Sequence, residues 1–415
     1  MTTVPTDGSA RAPSAVALPS DQDASGRSFG PEELERVAAV LESGTLTCTK
    51  GSQTPELESR FAGLLGVRAA LACSSGTAAV HAAVATVDPE PGDEIITSPI
   101  TDMGAIAPIL YQGAIPVFAD VDPDTGNVTP ESVAACWSDR TRAVIVTHLF
   151  GNPCRVEEIR ELAVRRGVAV IEDCAQAYLA QRQGRMVGTI GDISCFSMQQ
   201  GKHITTGEGG LVATDDPARA RRARVFVDKA WPYGEAGADH EFLALNARIT
   251  ELQAAVANAQ LARLPELVAH RRSTVALLAD AIEGLEGVRM APVDAGDAAS
   301  WWRVPLLVDE ELGGPDALAA ALGGLGVSGA PRYVRKPAFA CRVIAEQRTF
   351  GDSRWPFTLA RPEALDYSAE RFRGAWSFLD RVLVLPWNER YEAEHAVRVA
   401  DALHTAVGGL RGGSA

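Results

Sequence analysis

Between residues 67 and 226, short apolar runs alternate with amphipathic or alanine-rich stretches. Runs at 69–72, 94–97, 115–119, 143–147, 168–171, 193–196 and 211–213 read as strands, and the patterns at 77–86, 104–111 and 156–166 read as helices. This βαβα rhythm predicts an α/β domain on a mainly parallel sheet with helices on both faces. Ligands of such sheets bind beyond the carboxyl ends of the strands, so the loops after each run are the places to look for chemistry.

Residues 249–282 carry apolar positions at helical spacing, among them Leu252, Ala255, Val256, Ala259 and Leu264, and Pro265 should kink or split that helix. It is long enough to bridge two domains. Beyond it, strands near 288, 304–308 and 382–385 and helices at 315–322 and 394–407 predict a smaller α+β domain. The expected organisation is a flexible tail over 1–27, a large domain over 28–286 that includes the linking helix, and a small C-terminal domain over 287–415 with a frayed end from 408. Gly324-x-Gly326-x-x-Gly329 matches a dinucleotide fingerprint in letters, but it follows a helical pattern where a strand is required, so a helix end and turn are expected.

With 415 residues, 46% of them hydrophobic, the chain can bury a large core. A formal charge of -14 argues against nucleic acid or anionic membrane as a general partner. The sequence shows no signal-peptide pattern and no apolar run of about 18 residues, and its seven scattered cysteines form no CxxC pair. A cytoplasmic protein with reduced thiols is expected.

Candidate chemistry centres on the segment GDISCFSMQQGKHITTGEGG, from Gly191 to Gly210. Lysine is scarce, occurring only as Lys50, Lys202, Lys229 and Lys336, while arginine supplies the other cationic side chains. An amine that must lose its proton cannot be replaced by arginine. Lys202 lies between two strand-like runs, where desolvation would lower its pKa and favour Schiff-base chemistry. Asp173 ends the apolar run that begins at Val168, placed to hold a protonated ring nitrogen or, read alone, to cap the next turn. Gln176 could donate to an oxygen of the same ring. Gly76, Thr77 and Ala78 open a helix after a strand, where free amides and the helix dipole suit a phosphate, and Ser197 adds a hydroxyl at another strand end. Together these residues form the inventory for pyridoxal 5'-phosphate, whose ring nitrogen must be kept protonated by an acid.

From about residue 29 to 407 the chain resembles the DegT/DnrJ/StrS family of sugar aminotransferases, fold-type I pyridoxal phosphate enzymes. The resemblance rests on SGTAA from Ser75, GDEIIT from Gly92, FADVD from Phe118, EDCAQ from Glu172, FSMQQGK from Phe196, TGEGG from Thr206 and RITELQ from Arg248. It implies an aspartate-aminotransferase-like large domain and makes Lys202 the aldimine lysine and proton carrier. Asp173 would pair with the ring nitrogen, Gln176 with the phenolic oxygen, and Thr77, Ala78 and Ser197 with the phosphate. It further implies a homodimer in which the partner's Asn246, or alternatively the partner's Arg248, completes the phosphate site.

The implied reaction moves an amino group from glutamate or glutamine to a nucleotide-linked keto-sugar or to a keto-cyclitol, in amino-sugar or antibiotic biosynthesis. Two other readings share the fold. One is a dehydratase, disfavoured because such relatives carry histidine in place of Lys202; His203 is then expected to be a local hydrogen-bonding residue. The other is a ligand-sensing regulator, which would usually add a nucleic-acid-binding domain. Asp102 falls in the slot where many relatives place an aromatic residue over the ring, leaving Met103, Ile100 or the carboxylate itself to act there. Asp102, Trp231, Tyr233 and Arg332 are candidate substrate residues, together with Trp301, Trp302, Arg303, Tyr333, Arg342 and Arg348, and the aromatics and arginines among them are equally compatible with packing or surface roles. No metal site is expected.

Overall fold

The structure is a computed structural model that describes residues 17–412. Thirteen strands follow one another among the described residues. They are β1 Ala69–Cys73, β2 Glu94–Thr97, β3 Ile115–Phe118, β4 Thr141–Thr147, β5 Ala169–Asp173, β6 Gln181–Arg182, β7 Arg185–Met186, β8 Ile193–Ser197, β9 Gly210–Thr214, β10 Val288–Met290, β11 Arg303–Val308, β12 Ala330–Pro331 and β13 Val382–Pro386.

Seven of them form the large sheet in the order β1-β9-β8-β5-β4-β2-β3. All its pairings are parallel except those of β9, which runs antiparallel to both β1 and β8. The strands are buried almost throughout, because helices cover both faces. On one face the alanine-rich helix Gly76–Val87 packs with Leu71, Ile95, Ile145 and Ile171. On the other, Leu57, Phe61, Ala254, Ala257, Leu261 and Leu264 close over Ala70, Phe196 and Leu211. Burying each such leucine or phenylalanine contributes about 1.5–3 kcal/mol.

The parallel run brings the carboxyl ends of β2, β4, β5 and β8 to one edge. The reversed β9 adds β1 to that edge, since Cys73 and Ser197 both register with Gly210. A Cβ on Gly210 would lie 2.2 Å from the Ser75 carbonyl oxygen, so only glycine lets the turn after β1 come this close.

The helix Glu251–Ala281 is unbroken across Pro265, contrary to the expected split. Its first half lies in the core of the large sheet, while Val275 and Leu278 lie in the core of the small domain, so at about 46 Å it links the two. The small domain is an antiparallel sheet in the order β10-β11-β13-β12, packed against the helices Gly314–Gly324 and Ala393–Gly412. The Gly324–Gly329 segment is indeed a helix end, turning at Gly326 with a φ of 76°.

Two end segments depart from the sequence expectation. Residues 408–412 continue the last helix. Residues 17–27, expected within a flexible tail, are packed: Arg27 and Asp21 are 3% and 6% exposed, and Asn388 Nδ2 donates to the Pro19 carbonyl at 2.8 Å. Their polar composition conceals buried ion pairs that no hydropathy pattern reveals. Residues 1–16 of that expected tail and 413–415 of the expected frayed end lie outside the described residues.

Candidate active site

Lys202 sits in the turn between β8 and β9, at the shared strand edge. Its Nζ lies 4.0 Å from the centre of the Trp302 ring, and Trp302 is fixed from the other side by its Nε1–H donating to the Gly201 carbonyl at 2.6 Å. The lysine keeps some accessible surface, yet surrounding protein lowers its pKa to about 8. Desolvation is the main cause, reinforced by Arg303 and opposed by the negative charge of Asp173. At pH 7.5 about a quarter of such amines are neutral, against about 0.1% for an ordinary lysine.

The loop that carries Lys202 is held from beneath by Arg27, whose Nη1 donates to the Lys202 carbonyl at 2.9 Å and whose Nη2 donates to the Gln200 carbonyl. Arg27 also pairs with buried Glu389 at 3.4 Å, and Glu389 pairs with Arg271. Asp21 pairs with Arg303 at 2.6 Å.

Asp173 ends β5 and is buried, accepting one hydrogen bond, from the Ala175 N–H at 3.1 Å. Burial raises its carboxyl pKa, with the Ala175 amide and Lys202 opposing. Among the described residues it forms no ion pair. Its neighbour Glu172 is differently placed: Gly188, Ile190, Gly191 and His148 Nε2 all donate to its two oxygens. Burial pushes the Glu172 pKa up, and these donors outweigh it and hold it below the usual value. His148 Nδ1 accepts the Cys154 N–H at 2.9 Å, so its ring hydrogen is on Nε2. Cys174 completes a buried trio within 4.8 Å of one another, but Glu172 is already saturated and the trio reads as a structural lock on the β4 and β5 ends.

Gln176 is 4% exposed, and its orientation is fixed at both ends. Oε1 accepts the Phe150 N–H at 2.7 Å, and Nε2 donates to the Tyr333 hydroxyl at 3.0 Å.

The helix after β1 starts at Gly76, capped by Ser75, whose Oγ accepts the Ala78 N–H at 3.0 Å. The Ala78 amide is thereby engaged, while those of Gly76 and Thr77 have no intrahelical partner. Ser197 closes on this turn: a Cβ on Gly76 would meet Ser197 Cβ at 2.6 Å. The turn Asp102–Gly104 lies against it as well, since a Cβ on Gly104 would meet Thr77 Oγ1 at 2.4 Å. Asp102 is exposed, accepts the Gly104 N–H at 2.8 Å, and lies within electrostatic reach of Lys202, Asp173 and Tyr333. Ile100 belongs to the core, which removes it as a ring cover, while Met103 is only partly buried.

The structure thus brings Lys202, Asp173, Gln176, Gly76, Thr77, Ala78, Ser197 and Asp102 to one edge. His203 stays outside the chemistry, buried with Nε2 on the Ser300 carbonyl at 3.0 Å, its pKa driven well below the usual value by desolvation and Arg271.

The substrate candidates fare differently. Trp231 packs on His240, and Tyr233 is 51% exposed. Neither has a hydrogen bond or ring contact to the Lys202 cluster. Arg332 turns toward the acids Asp316 and Asp380 of its own domain, and Arg342 and Arg348 both pair with Glu346. The segment 246–248 meets its own chain's phosphate turn through the backbone, the Ala247 carbonyl accepting the Ser74 N–H at 2.8 Å, while the Arg248 side chain pairs with Asp228 at 3.3 Å and the Arg248 N–H donates to Asn246 Oδ1. The residues that do reach the cluster are Trp302, Arg303 and Tyr333, all from the small domain, and Arg27. The paired aromatics and arginines of Trp301–Arg303 and Arg332–Tyr333 are the sequence signal for the first three, and nothing in the sequence marked Arg27, which fell in the expected tail.

A family model described as the DegT/DnrJ/EryC1/StrS aminotransferase family matches residues 28–404. The chain is 36% identical over 312 residues to an L-glutamine:2-deoxy-scyllo-inosose aminotransferase of Streptomyces kanamyceticus, covering 70% of this chain and 73% of that one. It is 34% identical to a GDP-perosamine synthase of Escherichia coli O157:H7, covering 66% and 75%. The structure superposes on an aminotransferase from Psychrobacter cryohalolentis with a TM-score of 0.81 at 28% identity, covering 93% of this chain and 99% of that one. With this fold, this strand-edge cluster and these matches, the chain belongs to the DegT/DnrJ/EryC1/StrS aminotransferase family and is an aminotransferase.

Proposed function

We propose that this aminotransferase binds pyridoxal 5'-phosphate covalently at Lys202 and transfers an amino group from glutamate or glutamine to a cyclic polyhydroxylated ketone. The observation that carries the proposal is the pairing of a partly neutral amine, Lys202, with Asp173, a buried carboxylate that forms no ion pair among the described residues. An under-satisfied buried acid fits a ring N–H⁺, and the open amides of Gly76 and Thr77 beside Ser197 fit a phosphate.

When bound, the cofactor supplies the carbonyl that carries the amino group and a ring that accepts electron density. Asp173 keeps the proton on the ring nitrogen. The start of the helix Gly76–Val87, with Thr77 and Ser197, holds the phosphate. Lys202 Nζ, with a pKa of about 8, takes up and returns a proton near neutral pH. Trp302 excludes water from below that nitrogen.

The relatives named above join a cyclitol ketone and a nucleotide-linked sugar, and a ring ketone with several hydroxyls is the chemistry they share. We assign the partner subunit's Asn246 to the phosphate site, with the partner's Arg248 as the alternative, in a homodimer. The exposed Leu243 and Leu245 next to Asn246 support such an interface. Seven free cysteines support a cytoplasmic location, and no helix among the described residues is long and apolar enough to cross a membrane. The test is a two-step assay: load the enzyme with cofactor and ¹⁵N-glutamine, remove the donor, then add candidate ring ketones. Transfer of label to a ketone is expected; elimination of a hydroxyl without label transfer would overturn the proposal in favour of dehydration.

A further inference from the structure

Tyr333 reaches the cluster from the small domain, 157 residues along the chain from Gln176. Its position is set by an unusual stretch of backbone: Arg332, Tyr333 and Arg335 have φ values of 60°, 44° and 60°, a region that side-chain-bearing residues seldom occupy. Arg332 anchors that stretch through its N–H on the Val382 carbonyl and its ion pair with Asp316. The Tyr333 ring stands edge-on to Phe150, with centres 4.9 Å apart, and to Trp302 at 6.0 Å. Strained backbone held by its surroundings is a mark of a functional position.

The hydrogen bonds of Gln176 leave little freedom. A backbone N–H can only donate, so the atom facing Phe150 N must be the amide oxygen, and the nitrogen must face Tyr333. Phe150 is itself in a left-handed conformation, with a φ of 58°. With one amide hydrogen on the Tyr333 oxygen, the second is the one left for the cleft. The groups facing the Tyr333 phenol are Asp102, Asp173 and Arg303; burial and the two acids raise its pKa, so it stays protonated and its oxygen accepts.

We propose that Tyr333 is a positioning residue: by accepting from Gln176 Nε2, it directs the remaining amide hydrogen of Gln176 at the ring oxygen of the bound cofactor. This rests on the cofactor assignment made above. A hydrogen bond to that oxygen draws off negative charge that would otherwise help retain the proton on the lysine–cofactor nitrogen. Losing the donor therefore raises the pH at which the visible band of the lysine-bound cofactor titrates.

The test uses the loaded enzyme and the variants Tyr333→Phe, Gln176→Ala and the double variant. Phenylalanine keeps the ring contacts with Phe150 and Trp302. Each single variant should raise the titration midpoint by about 0.5–1 pH unit, the worth of one hydrogen bond. The double variant should shift no further than Gln176→Ala alone, because Tyr333 acts through Gln176. Additive shifts, or an unmoved midpoint in a Tyr333→Phe enzyme of normal melting temperature, would overturn the proposal. If Tyr333→Phe does not fold, an unmoved midpoint in Gln176→Ala overturns it equally. A wild-type enzyme that forms no visible band with pyridoxal phosphate would instead remove the cofactor assignment, a separate failure.

Discussion

Replacing Asp173 by Asn should stabilise the cofactor-free protein while disabling the loaded one. Asp173 accepts a single hydrogen bond and its carboxyl pKa is raised, with burial as the main cause. Below the unfolded value of 3.8 the acid is neutral in both states and costs nothing. As pH rises above 3.8 and through the raised folded pKa, the folded state must take on a desolvated charge, so the deficit grows with pH until that ionisation is complete. An under-satisfied buried group costs about 1–3 kcal/mol, and asparagine retains the acceptor for the Ala175 amide without the charge. For a chain of this length that corresponds to a rise in melting temperature of about 1–4 °C. With cofactor bound, the same change removes a charge-assisted hydrogen bond of about 1.5–3 kcal/mol, so kcat/KM should fall about 10- to 150-fold. Calorimetry of both cofactor-free proteins at pH 7.5 and at progressively lower pH, with transfer assays on the loaded forms, gives both readouts. A cofactor-free variant that melts below wild type at pH 7.5, or a loaded variant within about twofold of wild-type activity, would refute the reasoning.

Other outcomes follow from particular contacts. Thr77→Val, at an exposed residue of the helix start, should weaken cofactor binding about tenfold in equilibrium dialysis while leaving the melting temperature unchanged. Arg27→Met leaves Glu389 with Arg271 alone and frees the carbonyls of Gln200 and Lys202, so denaturant titration should show a loss of about 3 kcal/mol. If Asn246 completes the partner's site, co-expressed Asn246→Ala and Lys202→Ala chains should recover about a quarter of wild-type activity although each alone is inactive; an inactive mixture would place Asn246 in its own chain's site, and an Asn246→Ala chain active alone would place it in none.

Much of this molecule was legible in its sequence because parallel strands buried on both faces announce themselves as apolar runs, and their carboxyl ends locate Asp173, Ser197 and Thr77. Lys202 stood out by scarcity and by its apolar flanks. The other wall of the site was hidden for a physical reason. Trp302 and Tyr333 belong to a domain docked from far along the chain, and no local pattern says which aromatic faces the cleft. Trp231 and Arg332 carry the same kinds of side chain and turn elsewhere, toward His240 and Asp316. The segment 17–27 misled in another way, since its polar residues are buried against partners such as Glu389 and Arg303 that are distant in sequence.

The proposed chemistry turns on the amine of Lys202, and absorbance spectroscopy tests it most directly. Pyridoxal phosphate added to the wild-type protein should produce the visible band of a lysine-bound cofactor, at a rate that rises with pH around a midpoint near 8. Lys202→Ala should show neither the band nor label transfer from ¹⁵N-glutamine. A band at the same wavelength in Lys202→Ala, or transfer retained without this lysine, would contradict the assignment.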